Sequence, residues 1–191
     1  MKGFFVSLRI SCINLLLLTL LCGIVYPLIM GFIGFLFFPK EASGSILHLG
    51  SKVIGSEKIA QAFVSPKYFH PRPSFANYDA ANSNASNLAP TSKKLLEEIQ
   101  KKIEEYRREN HLNEDILLPA EAVTSSGSGL DPDISVRNAL LQIPRVAAAR
   151  GIAEEKIKEL LFEKIDPPFL GFIGEERVNV LLLNLILDSQ K

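Results

Sequence analysis

The chain has 191 residues, 47 % of them hydrophobic, and its 21 basic and 21 acidic residues leave no formal net charge. No basic patch calls for nucleic acid. Both cysteines, Cys12 and Cys22, fall inside one apolar run, so no disulfide framework holds the remainder, and His48, His70 and His111 lack the spacing of metal ligands.

Between Arg9 and Lys40 there is no Asp, Glu, Lys or Arg. A helix rises about 1.5 Å per residue, so about 20 apolar residues cross a hydrocarbon core of about 30 Å. The run predicts one transmembrane helix over 13–37, within a membrane segment 10–39. A buried soluble helix is rarely so long without a charge. A cleaved signal peptide has a shorter core followed by small residues, which Ala42-Ser43-Gly44 matches only loosely. Lys2 and Arg9 precede the run, and positive flanks stay in the cytoplasm. Residues 1–9 are therefore expected inside and 40–191 outside, although Lys40 stands against that assignment.

Thr19, Gly23, Pro27 and Gly31 recur every fourth residue. This stripe of small side chains is either a docking face for a partner helix or the ordinary Gly and Pro content of a membrane helix. Pro27 removes a backbone donor and is expected to bend the helix.

The region after the membrane segment has the size of one domain. Its 19 bases against 21 acids give a charge of −2. Ser45–Ile54 is expected to supply a first strand, and Ser56–Phe63 a short helix with Ile59 and Phe63 on one face. From Ser65 to Ser92 the periodicity stops, and Pro66, Pro71, Pro73 and Pro90 bound a stretch rich in Asn, Ser and Ala. Loops this long are functional or disordered, and a free linker seldom carries Tyr68, Phe69, Phe75 and Tyr78. An ordered loop is expected, its aromatics either covering the domain's own core or contacting a partner, with Tyr68, Phe69, Arg72 and Tyr78 as the candidate contact residues.

Thr91 or Ser92 caps the next predicted helix, whose inner face is Leu95, Ile99, Ile103 and Tyr106. Glu97–Lys101, Glu98–Lys102 and Glu104–Arg108 stand at i,i+4 on its solvated face. Two short extended pieces are expected around Pro119. Ser125–Pro132 lacks the Lys and Ser/Thr of a phosphate loop and is expected to be a glycine turn. Ser135 caps a helix with Val136, Ala139, Leu140 and Ile143 inward, which Pro144 kinks or splits and Gly151 stops. A helix from Glu154 follows, with Ile157, Leu160 and Leu161 inward, broken at Asp166-Pro167-Pro168. Next comes an apolar turn, Phe169–Gly174, and then a buried helix near Val178–Leu187, entered through a short strand. Short strands and helices without a βαβ repeat indicate an α+β fold: one N-terminal transmembrane helix and a single mixed α+β extracytoplasmic domain.

Five phrases occur in order. They are Tyr68-Phe69-His70-Pro71-Arg72-Pro73-Ser74, Ser86-Asn87-Leu88-Ala89-Pro90-Thr91, Ser126-Gly127-Ser128-Gly129-Leu130-Asp131-Pro132-Asp133-Ile134-Ser135, Leu141-Gln142-Ile143-Pro144-Arg145-Val146-Ala147 and Arg177-Val178-Asn179-Val180-Leu181. Together they resemble the KdpC subunit family of the bacterial high-affinity potassium-transporting ATPase, over nearly the whole chain. Where that family has a Gly or two before Ser86-Asn87, this chain has Asn84-Ala85.

The resemblance implies a non-catalytic accessory subunit in the bacterial inner membrane. Its implied partners are a channel-like potassium subunit, a P-type ATPase subunit and a small membrane peptide. It also implies a catalytic chaperone that raises the ATPase subunit's affinity for ATP, with Gln142 as the residue linked to nucleotide. The chain itself has neither an Asp-Lys-Thr-Gly phosphorylation site nor a Thr-Val-Gly-Tyr-Gly filter loop. The expected orientation separates Gln142 from cytoplasmic ATP. Gln142 then either contacts ATP or bonds backbone near the Pro144 kink, with any effect on ATP use transmitted indirectly. The alternative is a membrane-anchored nucleotide-binding module or enzyme. Ser126, Asp131 and His70 form a triad for it only on paper.

Overall fold

The computed structural model describes residues 2–190 and divides at Ile46 into two compact units. The first is helical. Helix α1 (Lys2–Leu20) runs through a π-turn (Leu21–Val25) into α2 (Tyr26–Phe37), and a short α3 (Pro39–Ala42) follows. The helix thus begins well before the expected Ile13, because nothing between Lys2 and Ile13 stops it. The stretch Gly3–Phe37 is long and apolar enough to cross a membrane, and the span is unburied. Pro27 is accommodated by the π-turn, in which the Tyr26 N–H reaches back to the Leu21 carbonyl. A widened turn winds less per residue, which counters the drift of the Thr19–Gly23–Pro27–Gly31 stripe around the helix.

The second unit is α+β. Its first expected strand is two strands, β1 (Ile46–Leu49) and β2 (Lys52–Ser56), joined at Gly50-Ser51. Gly50 has φ +63°, as the first position of a type II′ turn requires. The predicted helix over Ser56–Phe63 does not form. The Ser56 hydroxyl accepts from Lys58 N, Ala60 N donates to the Leu130 carbonyl and the Gln61 side chain bonds the Ile54 carbonyl. A side-chain turn takes one backbone donor that a helix needs, Lys58 N, and a distant carbonyl takes another, Ala60 N. From there to Ser92 the chain has no helix or strand, as expected.

Helix α4 (Lys93–Glu109) starts at Ser92, whose hydroxyl accepts from Leu95 N. The expected i,i+4 ion pairs on its outer face are not closed, whereas Gln100 and Glu104 hydrogen-bond at 3.0 Å. The two extended pieces near Pro119 are absent. Pro119 instead begins a single 3-10 turn (Ala120–Ala122), its carbonyl accepting from Ala122 N.

Strand β3 (Asp133–Ser135) leads directly into α5 (Val136–Arg150), with the Ser135 hydroxyl accepting from Asn138 N. Pro144 does not split α5, which runs on to Gly151 at φ +67°. Helix α6 (Glu154–Phe162) precedes β4 (Ile165–Asp166), which the sequence reading missed. Strand β5 (Arg177–Asn179) lies between β3 and β4, antiparallel to both, with Ile134 and Ile165 opposite Val178. Asn179 ends β5 and caps α7 (Val180–Ser189) by accepting from Leu182 N. The core joins α5, α6, α7 and the sheet through Ile134, Val146, Ile157, Leu161, Leu183 and Leu187, with Phe69 of the long loop among them.

The 125–132 turn ties that loop down. The Ser74 hydroxyl donates to the Gly129 carbonyl and Asn84 N to the Ser128 carbonyl. Gly129 has φ +69°, and a Cβ there would stand 2.7 Å from the Asn84 carbonyl oxygen. Strain and collision together predict that Gly129→Ala lowers the stability of the detergent-solubilised full chain by about 2 kcal/mol, read by chemical denaturation. A midpoint equal to the native chain's contradicts this.

Candidate functional site

Gln142, the nucleotide-linked residue of the resemblance, sits on α5 and is 1 % exposed. Its Oε1 accepts from His70 N at 2.7 Å and from Arg145 Nη2 at 2.8 Å. Its Nε2 donates to the His70 carbonyl at 3.1 Å and to Asn138 Oδ1 at 2.9 Å. A primary amide offers two acceptor sites and two donors, and all four are in use. Gln142 therefore does not serve the carbonyl freed by Pro144, as the kink reading expected; it pairs with the backbone of the loop.

Asn184 on α7 does the same one residue earlier. Its Oδ1 accepts from Phe69 N at 2.8 Å and its Nδ2 donates to the Phe69 carbonyl at 2.9 Å. Arg145 Nη1 reaches the Pro66 and Tyr68 carbonyls, and Arg150 Nε reaches that of Lys67. Five consecutive carbonyls, Pro66 to His70, thus accept hydrogen bonds from side chains of α5 and α7. The loop has no strand neighbour, so side chains satisfy backbone groups that burial would otherwise leave costly.

Arg145 is 5 % exposed. Its Nε donates to Asn110 Oδ1 at 2.9 Å, so α4 joins the network through its C-cap residue. Burial holds the guanidinium below its ordinary pKa, and the Glu109 carboxylate opposes that shift. His70 Nδ1 lies 3.0 Å from Glu109 Oε1. The hydrogen bond from His70 holds the Glu109 carboxyl below the usual range against desolvation. The Tyr106 hydroxyl donates to Asn138 Oδ1 at 2.7 Å, and burial raises its pKa.

Of the loop residues named from sequence, Phe69 is buried, Tyr68, Arg72 and Tyr78 are half-buried and Phe75 is exposed. Phe69 is 0 % exposed and belongs to the core, not to a partner surface. Tyr68 donates to Asp188 Oδ2 at 2.9 Å, and its ring lies 5.1 Å from the Arg150 guanidinium. Arg72 pairs with Asp131 at 2.7 Å, and the Tyr78 hydroxyl donates to the Arg72 carbonyl. Ser126 accepts from Gly129 N inside its own turn, Asp131 is held by Arg72 and His70 by Glu109. The paper triad is therefore not assembled.

Asn138, Arg145, Asn110 and Asn184 were missed. Asn138, Gln142 and Arg145 fall at i, i+4 and i+7, so a polar stripe at helical period beside the apolar face was the available signal. An open cleft of about 410 Å³ lies elsewhere on the domain. Glu121, Asp131, Asp133, Glu175 and Glu176 line it against Arg72 and Arg177, a charge balance that repels a nucleotide triphosphate.

Residues 8–189 match the family described as KdpC: K+-transporting ATPase, c chain. The chain belongs to the KdpC family. A Mycobacterium bovis (strain BCG / Pasteur 1173P2) protein named potassium-transporting ATPase KdpC subunit is 53 % identical, over 91 % of this chain and 93 % of its own length. Proteins of the same name are 46 % identical from Beijerinckia indica, covering 96 % of this chain and 93 % of theirs, and 44 % identical from Rhodopseudomonas palustris (strain TIE-1), covering 96 % of each. In this chain the Leu-Gln-x-x-Arg-Val phrase has a structural account. Its Gln142 and Arg145 are two of the three α5 side chains that hold the long loop, with Arg150 the third.

Removing the Gln142 amide leaves His70 N, the His70 carbonyl, Asn138 and Arg145 each one partner short. Unsatisfied buried groups cost about 1–3 kcal/mol each, with overlap. Gln142→Leu is expected to lower the stability of the full chain by about 3 kcal/mol or more in the absence of any nucleotide, read by denaturation in detergent. A variant as stable as the native chain contradicts a structural role for this residue.

Proposed function

We infer that the chain is a non-catalytic accessory subunit of an ATP-driven potassium uptake complex. Membership of the KdpC family carries this reading, and the single apolar helix ahead of an α+β domain fits it. The partners are a channel-like potassium subunit, a P-type ATPase subunit and a small membrane peptide. The helix anchors the chain in the inner membrane, with residues 1–9 in the cytoplasm and the domain from Lys40 outside. The Thr19–Gly23–Pro27–Gly31 stripe is the helix face on which a partner helix packs.

Any rise in the ATPase subunit's ATP affinity then acts by biasing that subunit's conformation, not by sharing the nucleotide. Gln142 supports this: its four hydrogen-bonding positions are occupied within the domain. The resulting picture is a rigid outer body that stabilises the assembly.

Two measurements test the reading together. Protease added to the outside of spheroplasts is expected to digest the domain and leave the N-terminus protected. ATP titrated into the detergent-solubilised full chain to millimolar concentration is expected to give no saturable binding. A domain protected from external protease contradicts the orientation, and saturable binding favours the nucleotide-binding alternative.

A further inference from the structure

Between β4 and β5 the chain makes a tight loop, Phe169-Leu170-Gly171-Phe172-Ile173. Phe169, Leu170, Phe172 and Ile173 are between 51 % and 76 % exposed. Four large apolar side chains on one short loop form a contiguous patch, and such patches mark interaction sites. The loop is also fixed. Phe169 and Ile173 exchange both backbone hydrogen bonds at 2.9 Å, and Gly171 N donates to the Pro168 carbonyl at 2.9 Å. Leu170 sits at φ +55°, a conformation that a leucine adopts only when its surroundings impose it. Its side chains are thus presented in a set arrangement, which reduces the ordering cost of binding.

The residues flanking the loop decide what it fits. Within four positions stand Asp166, Glu175, Glu176 and Arg177, three acids and one base. Arg177 is shared between Asp133 at 3.1 Å and Asp166 at 3.9 Å, whereas among the described residues no ion pair reaches Glu175 or Glu176. Both glutamates also line the acidic cleft beside the loop. An anionic lipid surface attracts basic flanks and repels acidic ones. Exposed phenylalanines within an acidic rim match instead a protein surface that is apolar at its centre and basic at its edge.

We propose that the Phe169–Ile173 loop is a docking tip that inserts into an apolar pocket, rimmed by lysine or arginine, on another subunit of the same membrane complex. The proposal rests on the accessory-subunit reading and adds to it the surface of contact. Anchoring in the same bilayer raises the effective concentration of the two surfaces, so a small tip suffices.

The chain has no tryptophan, so Phe172→Trp gives a single reporter. In lipid nanodiscs holding the full chain alone, its emission is expected to be that of a water-exposed indole and insensitive to brominated lipid. On assembly with the potassium-transporting ATPase subunits it is expected to shift to the blue. The double variant Phe169→Ser/Phe172→Ser is expected to reduce co-purification with those subunits at least tenfold, and Glu175→Lys/Glu176→Lys to reduce it as well. If the native chain does not co-purify, the accessory-subunit reading fails. If the native chain co-purifies but the variants match it and the indole emission is unchanged, the docking tip alone is overturned. Quenching by brominated lipid without partners assigns the loop to the bilayer and also overturns it. Should the serine variant fail to fold, the indole reporter decides the matter.

Discussion

The hydrogen bonds from α5 and α7 side chains to the Pro66–His70 backbone are the constraint on which the α+β domain depends. A 36-residue stretch from Glu57 to Ser92 has neither helix nor strand, yet it places Phe69 at the centre of the core. Burying that phenylalanine drags its own and adjacent peptide groups out of water. Gln142 and Asn184 pair with two successive residues as a neighbouring strand would, each giving one donor and one acceptor. Arg145 and Arg150 supply the donors for the three carbonyls before them. A fully satisfied network of this kind rigidifies a core, and a partly satisfied one is worse than an apolar core.

This arrangement changes the meaning of a residue that the family resemblance links to nucleotide. A side chain with every polar atom committed at 2.7–3.1 Å cannot bind a ligand without giving up its hold on the loop. Substituting it disturbs α5, the loop and, through Arg145 and Asn110, the end of α4. The domain's exposed features lie elsewhere, at the acidic cleft and the Phe169–Ile173 loop.

Local signals in the sequence read correctly wherever local physics decides. The charge-free run, the caps Ser92 and Ser135, the left-handed stop at Gly151 and the inward faces of α6 and α7 act within one or two turns. Ser56–Phe63 was misread because Ala60 N and the Gln61 side chain donate to the Leu130 and Ile54 carbonyls, partners that periodicity does not reveal. The hairpin was legible at Gly50-Ser51 but was masked by the even apolar content on both sides. Gln142 came forward only through a resemblance, and its partners 72 residues earlier belong to a segment without any pattern. The KdpC-family phrases themselves divide along this line: Tyr68–Ser74, Ser126–Ser135 and Leu141–Ala147 are the loop, the turn that pins it and the helix that bonds it.

Native-state hydrogen exchange of the full chain, read at single amides, tests the claim most directly. The Phe69 and His70 amides, in a segment with no regular structure, are predicted to exchange only with global unfolding, as slowly as Val178 and Leu183 in the core. Exchange of those two amides at the rate of an open surface loop, while the core stays protected, would contradict the account.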